Sequence, residues 1–303
     1  MASPVADAQA QDTRPSAATR RRIAYALTQR GRWAAAAVSL LALLTYALML
    51  QLLANQHVPT VPWVGDTAGR LRVAPGDDAA WPGAAGHVIV GFADTALPAL
   101  RELRSPRWQP QRALRERYFT DHALWAQAFA ADRVSLRLDD GRLLDVPLAA
   151  RGLTGIGPLF WLAGLVGLAL VVVAAASFST APAVTSGLFL WAAFFIALAL
   201  WCAGMDASRG PTWPPGVAEA ITTTWQCADV LVMAALLGMV MRYPVMTTLA
   251  RAWWAPLLVA LGVCALVAHD PIGVGWWLAW GFVLLAAVAI VGLLLAVQRA
   301  SPN

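Results

Sequence analysis

Six long apolar segments separate the polar parts of this 303-residue chain and limit what it can fold into. They cover residues 33–53, 157–176, 183–203, 217–241, 254–268 and 272–298. A helix of about 20 apolar residues crosses the hydrocarbon core of a bilayer, and the fifth segment is shorter than that. The pattern predicts a membrane all-α fold with about six transmembrane helices, which has the lipid bilayer as its first partner.

Composition agrees with this expectation, because 59% of the residues are hydrophobic and only 13% are charged. A soluble domain usually carries about 25% charged residues. The three cysteines, Cys202, Cys227 and Cys264, all lie in apolar segments. We expect them to be packing residues, without a disulfide framework or a thiolate metal site.

The net charge of +5 is concentrated at the start of the chain, where the first 32 residues hold six arginines and two aspartates. This tail is predicted to be disordered and cytoplasmic, since positive charge beside a membrane helix stays inside. Arg242, Arg251 and Arg299 fall on the same side, against Arg209 on the other. Both termini are therefore expected in the cytoplasm of a bacterial inner membrane protein, and nucleic-acid binding is disfavoured.

The polar segment 57–156 predicts a small α+β extracytoplasmic domain between helices 1 and 2. Residues 88–90 and 133–138 read as strands, and Asp140-Gly141 joins the latter to residues 143–146 as a tight hairpin. Leu114, Tyr118, Trp125 and Phe129 share one helical face, which we expect to be buried. The same helix offers four charged residues to solvent: Arg112, Arg115, Glu116 and Asp121.

The sequence contains no phosphate-binding loop, metalloprotease helix pair, zinc knuckle or serine nucleophile elbow, so no catalytic residue and no cofactor is predicted. His57, His87 and His122 lack ligand spacing and are expected at the surface, without a metal. Gly152, Gly155 and Gly157 stand at the start of the second apolar segment, in the wrong order for a dinucleotide-binding loop. They predict a hinge between the domain and the membrane helices.

Asp229 is the one carboxylate near the middle of an apolar segment, and it falls on one helical stripe with Thr222, Gln226 and Met233. A carboxylate at bilayer depth costs on the order of 2.5–3.5 kcal/mol on insertion scales, so it is normally turned inward. Two interpretations stay open. Asp229, Gln226 and Thr222 form either a protonatable or ligand-contacting centre or a structural polar clamp between helices.

Several pieces of the chain resemble the input region of ComP-like bacterial sensor histidine kinases. They are the strand-turn-strand of residues 133–148, the sequence Arg151-Gly-Leu-Thr-Gly-Ile-Gly-Pro-Leu-Phe-Trp161, and a small-residue-rich helix from Val230 to Tyr243-Pro244. The likeness spans roughly residues 33 to 298. In that family the outer domain is often PDZ-like; residues 74–80 would correspond to its characteristic loop, while Gly86-His87 replaces the usual Gly-Asp.

The resemblance implies a sensory module that detects an extracytoplasmic or membrane-borne cue and relays it to a cytoplasmic output. The 303 residues do not include the kinase domain of that family, so the chain is expected to be a sensor fragment or to signal through a partner. The cue is an unknown small molecule or peptide, and the expected assembly is a homodimer or a complex with a signalling partner. The alternatives are a small-solute or proton-coupled transporter, with Asp229 as coupling site, and a non-catalytic membrane-complex subunit.

The expected organisation has five parts. They are a cytoplasmic tail (1–32), the first transmembrane helix (33–53), the extracytoplasmic domain (57–156), a five-helix bundle (157–298) and a second cytoplasmic tail (299–303).

Overall fold

The computed structural model describes residues 17–68, 70–75, 81–93, 95–96, 105–208, 213, 215–242 and 248–300. Several sequence predictions concern residues outside these ranges. They involve the first 16 residues, positions 76–80 of the PDZ-like loop, Arg209, Tyr243-Pro244 and the final three residues.

Seven α-helices form most of the described chain. They are α1 (Ala17–Ala54), α2 (Arg112–Ala128), α3 (Pro158–Thr180), α4 (Val184–Ser208), α5 (Pro215–Arg242), α6 (Ala255–His269) and α7 (Val274–Ala300). All except α2 belong to segments that are long and apolar enough to cross a membrane, which gives six candidate spans within the described residues. The predicted number of apolar helices is thus confirmed, and each predicted segment falls within or against one of these helices.

The N-terminal helix is longer than its apolar segment. α1 begins at Ala17, while its candidate span covers Gln29–Ala54. The prediction of a disordered tail up to residue 32 is therefore wrong for residues 17–32. Alanine and arginine favour helix intrinsically, and a helix that is already nucleated by the membrane segment extends into such residues at little cost.

A seven-stranded antiparallel sheet lies between α1 and α3 in the chain. Its strands are β1 (His57–Pro59), β2 (Trp63–Gly65), β3 (Leu71–Val73), β4 (Val88–Phe92), β5 (Thr95–Ala96), β6 (Arg133–Leu138) and β7 (Leu143–Ala150). The strand order is β1-β7-β6-β4-β3-β2, with β5 paired to β4. The predicted hairpin is present: Arg137 pairs with Leu143, and Gly141 takes φ +85°, which suits glycine in a tight turn.

The α2 helix lies between the sheet and the membrane helices. Trp125 and Phe129 pack in the sheet core beside Leu136 and Val146, as predicted. Tyr118, on the same helix, instead belongs to the core of the bundle. One helix thus joins the two hydrophobic cores, so a movement of α2 would be felt on both sides.

The predicted surface of α2 is partly wrong. Arg112 and Glu116 are exposed and form an ion pair, as expected for a solvated face. Leu114 is 40% exposed, however, while Arg115 and Asp121 are buried. His122 is also fully buried, against the expectation of a surface histidine, and its ring packs on Tyr118 at 4.3 Å.

Small residues let the first helices pack closely. A Cβ added at Gly164 of α3 would lie 2.2 Å from the Tyr46 hydroxyl of α1, and one at Gly167 would lie 2.5 Å from Trp201 Nε1 of α4. Both glycines are therefore covered by neighbouring helices of the same chain. A further cluster of buried apolar residues, which includes Val230, Ala260 and Ala279, lies among α5, α6 and α7.

Candidate functional site

Asp229 forms an ion pair with an arginine that the sequence analysis did not single out. Arg107 Nη2 lies 2.6 Å from Asp229 Oδ2, and the two side chains are only 12% and 25% exposed. Asp229 stands midway along α5, whereas Arg107 belongs to the segment between the sheet and α2. The ion pair therefore joins the part of the chain that holds the sheet and α2 (the polar domain) to the helical bundle.

A short 3-10 turn, Pro106–Trp108, carries Arg107 to this position. Proline at the first position suits such a turn because its fixed φ matches and its missing N–H is not needed. The backbone N–H of Trp108 donates to the Ser105 carbonyl, and that of Gln109 donates to the Pro106 carbonyl. These two hydrogen bonds close the turn that carries Arg107.

Arg115 of α2 fastens this turn to the bundle. Its Nη1 donates to the carbonyls of Gln109 and Pro110, each at 2.8 Å, and its Nε donates to the Ile272 carbonyl at 2.7 Å. Ile272 lies just before α7. One buried guanidinium, 1% exposed, therefore satisfies carbonyls on both sides of the junction.

Tryptophan rings surround the Arg107 guanidinium. Its Cζ lies 4.1 Å from the Trp225 ring centroid, 4.9 Å from that of Trp108 and 5.8 Å from that of Trp280. Cations within about 6 Å of an aromatic centroid are attracted to the ring, more strongly where water is excluded. Trp276 Nε1 also donates to the Arg107 carbonyl at 3.3 Å. Trp225 belongs to α5, and Trp276 and Trp280 belong to α7, so the turn is held between these two helices.

A small cavity of about 130 Å³ opens beside the ion pair, lined in part by Gln226, Asp229 and Met233. Arg107 Nε and Nη1 and Gln226 Oε1 are buried there without a hydrogen-bond partner among the described residues. Burial lowers the pKa of the Arg107 guanidinium, and the Asp229 charge opposes that shift. The cavity can therefore accept a few waters or a small polar molecule that supplies both donors and acceptors.

Two of the three predicted intramembrane residues meet at this site. Asp229 and Gln226 line the same cavity, and Gln226 Nε2 donates to the Pro271 carbonyl at 3.5 Å. Thr222 does not join them, since its hydroxyl donates to the Ala218 carbonyl of its own helix. The predicted clamp would pair Asp229 with another helix of the bundle. Its partner Arg107 comes instead from the polar domain.

Asp229 lies closer to that domain than its position in the apolar segment suggested. The 28 residues of α5 span about 42 Å, more than the ~30 Å of a bilayer core. The early part of α5 packs instead against α2, where Trp225 and Ala218 share a core with Tyr118. Asp229 follows Trp225 by about one turn of α5, so it lies close to this contact with α2.

The predicted hinge glycines form a tight connection. The N–H groups of Arg151 and Gly152 donate to the carbonyls of Gln56 and Ala54 at the end of α1. A Cβ at Gly155 would lie 2.7 Å from the Arg151 carbonyl oxygen, and Gly157 precedes the first residue of α3. Close packing accounts for Gly155, whereas Gly152 has open space around it and takes a positive φ of +66°, which favours glycine. A hinge motion stays a prediction.

Two further clusters were not anticipated. Cys227 and Cys264 face each other across α5 and α6, each Sγ lying within 3.9 Å of the other residue's carbonyl oxygen.

His87, Asp139 and Asp140 bring ligand atoms within 4.8 Å of one another on the exposed rim of the sheet. The hydrogen bond from His87 lowers the pKa of Asp139, which is ordinary ion-pair behaviour.

Arg107 and Arg115 are the residues that sequence reasoning missed. The sequence identified Asp229 as a carboxylate that needs a partner, but no local signal singled out Arg107 as that partner. Comparison of the chain with protein-family models, with curated proteins and with solved structures finds no match. The function proposed below is therefore argued from this site alone, together with the resemblance described above.

Proposed function

We propose that this chain is the input module of a bacterial signalling system in the inner membrane. It detects an extracytoplasmic or membrane-borne cue, without catalysis of its own, and relays the change to a cytoplasmic output such as a kinase domain. The observation that supports this most is the Arg107–Asp229 ion pair, which joins the polar domain to the middle of a membrane helix.

The contacts of the junction converge on α7. Arg115 binds the carbonyl that precedes this helix, Trp276 binds the Arg107 carbonyl, and Trp280 lies against the Arg107 guanidinium. α7 continues to Ala300, with Arg299 in its last turn. A rigid helix moves as a unit, so a shift of the Pro106–Trp108 turn would be delivered at the opposite end of α7.

Transmission needs two arrangements of the junction that the cue binds unequally. The Arg107–Asp229 pair is suited to this role because its two partners belong to different structural units. A buried pair strongly favours one docked arrangement, since a separated charge would lose its partner and its aromatic neighbours. A cue that strains the docking would therefore change the helix positions in a discrete step.

The proposed orientation places both termini in the cytoplasm and the polar domain outside. Its support is the distribution of arginine over the short connections, where Arg242, Arg251 and Arg299 fall on one side. α6 and α7 are also the least covered helices: only 11% and 6% of their apolar windows are buried. A homodimer or a membrane signalling partner would contact the chain there.

A chimaera tests the proposal. The full chain would be fused after Asn303 to the phosphoacceptor and ATP-binding regions of a sensor kinase, and phosphate transfer to its response regulator would be measured in membrane vesicles. We expect Arg107→Gln and Asp229→Asn to change the output in the same direction, and the double variant to add little. The matched control is Arg133→Gln with Asp145→Asn. The N–O distance of that pair is similar to the one between Arg107 and Asp229, but both side chains are more than half exposed.

Two outcomes would overturn the proposal. One is a kinase output that is unchanged by both Arg107→Gln and Asp229→Asn in variants that still fold and insert into the membrane. The other is proton uptake by proteoliposomes that depends on Asp229, which would favour the transporter alternative instead.

A further inference from the structure

A second and larger cavity lies where the polar domain meets the membrane helices, and neither Arg107 nor Asp229 lines it. It has a volume of about 780 Å³ and is bounded by the end of α1, the second half of α2 and the start of α5. Cavities of roughly 300–1,000 Å³ are the usual size of small-molecule sites. The space is therefore large enough for a ligand of ordinary size.

One buried polar group in this cavity lacks a partner. Gln56 is 6% exposed, and both Nε2 and Oε1 of its side chain are buried with no hydrogen-bond partner among the described residues. Its backbone is fully used, since its N–H donates to Leu53 and its carbonyl accepts from Arg151. A buried amide without partners is costly and rare, so a ligand that offers one donor and one acceptor would account for it.

The rest of the lining combines amide side chains with apolar ones. Gln51, Asn55 and Gln127 add further amides, while Leu48, Leu52 and Phe129 are apolar. None of the described lining residues is Asp, Glu, Lys or Arg. The site therefore offers hydrogen bonds without a fixed charge, which disfavours a charged headgroup.

The position of the cavity relative to α1 indicates where the ligand comes from. The candidate span of α1 ends at Ala54, so Leu48 and Leu52 lie within it and Gln56 just beyond it. Leu48 and Leu52 are also exposed, at 57% and 37%, so the apolar part of the cavity is open toward the surface that lipid would cover. A molecule with an alkyl chain could enter from the bilayer and place its head beside Gln56.

We propose that this cavity binds an uncharged single-chain amphiphile from the bilayer, with its hydroxyl, ester or amide head hydrogen-bonded to Gln56 and its chain lying along Leu48 and Leu52. The role of this ligand as the membrane-borne cue rests on the proposed function, whereas its binding to the cavity does not. The α2 residues Ala123 and Ala126 form part of the cavity wall. The same helix carries Arg115, which holds the Pro106–Trp108 turn against α7.

Photolabelling tests the binding. The probe is a monoacylglycerol with a diazirine in its acyl chain, added to the full chain in phosphatidylcholine nanodiscs, and labelled peptides are identified by mass spectrometry. We expect labelling on residues 48–57 and 123–130. Gln56→Leu should weaken saturable labelling roughly tenfold, because the head loses its hydrogen bonds. Ala126→Phe should block it by filling the cavity.

Matched controls isolate the cavity. Gln111→Leu makes the same chemical change at an exposed position outside the cavity and should label like the wild type. An anionic competitor, lysophosphatidylglycerol, should displace the probe much less well than unlabelled monoacylglycerol. Unchanged labelling in both Gln56→Leu and Ala126→Phe would overturn the proposal, and so would label spread evenly over α6 and α7.

The failure of this inference differs from the failure of the proposed function. Arg107→Gln should leave labelling intact, because Arg107 does not line this cavity. Loss of chimaera output in that variant with normal labelling would support both proposals. Normal labelling without any effect of the probe on chimaera output would overturn the role of the ligand as cue and leave the binding site standing.

Discussion

Arg107 Nη2 and Asp229 Oδ2 lie 2.6 Å apart, although one belongs to the polar domain and the other to a membrane helix. The contact gives the carboxylate of an apolar helix a cation as its partner, and it joins the polar domain to the helical bundle. Because the Trp225 and Trp280 rings lie against the guanidinium and limit the access of water, this ion pair stabilises the fold more than an exposed pair would.

The first prediction is a double-mutant cycle on this pair. Arg107→Gln or Asp229→Asn alone should lower the free energy of unfolding by about 2–3 kcal/mol, somewhat below the 3–5 kcal/mol of fully buried pairs because both groups keep some exposure. The double variant should cost less than the sum, since no charge is left alone. Thermal unfolding of the purified chain in detergent measures each value.

The exposed Arg133–Asp145 pair is the control for that cycle. Its N–O distance of 2.7 Å is similar, but each side chain is 56% exposed. Pairs of this kind contribute about 0–1 kcal/mol. Equal costs at the two pairs would show that docking does not depend on Arg107 and Asp229.

The second prediction concerns orientation. Alkaline phosphatase is active only where its disulfides form, outside the cytoplasm. A fusion that replaces everything after Ala150 should therefore be active, and a fusion after Asn303 should be inactive. Activity at Asn303 would contradict the placement of both termini inside, which rests on the arginine distribution.

The third prediction compares two positions on α2 that the sequence pattern placed on the same buried face. Trp125 is fully buried against Phe92 and Phe129, whereas Leu114 is 40% exposed. Trp125→Ala should cost about 3–5 kcal/mol of domain stability, as large cavities in a core do. Leu114→Ala should cost less than about 1 kcal/mol. Comparable losses at the two sites would contradict the orientation of the helix.

Local rules account for what the sequence predicted correctly. β6 runs from Arg133 to Leu138 as predicted, because its side chains alternate between the core and solvent and Asp140-Gly141 closes the turn. The apolar helices follow from length and hydropathy alone. In each case the signal lies within a few residues of the element that it specifies.

Partnerships over long sequence distances were beyond these rules. Arg115 was assigned to solvent because its charge fits a polar face, but its partner is the carbonyl of Ile272, 157 positions away. Asp229 was recognised as a residue in need of a partner, yet nothing near it in sequence named Arg107. Only the tertiary docking of α2 and the Pro106–Trp108 turn on α5 and α7 brings these groups together.

The fourth prediction concerns acid. Asp66 accepts hydrogen bonds from the Arg70 N–H and side chain, from Arg72 and from the Ala68 N–H, which lower its pKa to about 2. A pKa lower in the folded state means that the carboxylate stabilises the fold above the unfolded pKa of about 3.9 and loses this effect as pH falls toward 2. We expect the melting temperature to fall between pH 4 and pH 2 in the wild type. The fall should be smaller in Asp66→Asn, and parallel curves would contradict the assignment.

The last prediction tests the close contact of α1 with α3. A methyl group at Gly164 would lie 2.2 Å from the Tyr46 hydroxyl and 2.4 Å from the ring carbon that carries it. Tyr46 has little room to move, since its ring stacks on Phe160 at 5.3 Å and contacts Trp201 at 5.4 Å. Gly164→Ala should therefore force the helices apart and cost about 1–3 kcal/mol, as overpacking usually does.

Two variants show whether this loss comes from the contact or from the change of residue. Gly262→Ala is the matched control, because nothing lies within 4 Å of a Cβ at that position of α6, and it should be neutral or slightly stabilising. Tyr46→Leu should restore part of the stability lost in Gly164→Ala, since a shorter side chain vacates the space that the methyl group needs. If Gly164→Ala melts like the wild type while Gly262→Ala does not, the packing of α1 against α3 is different from the one described.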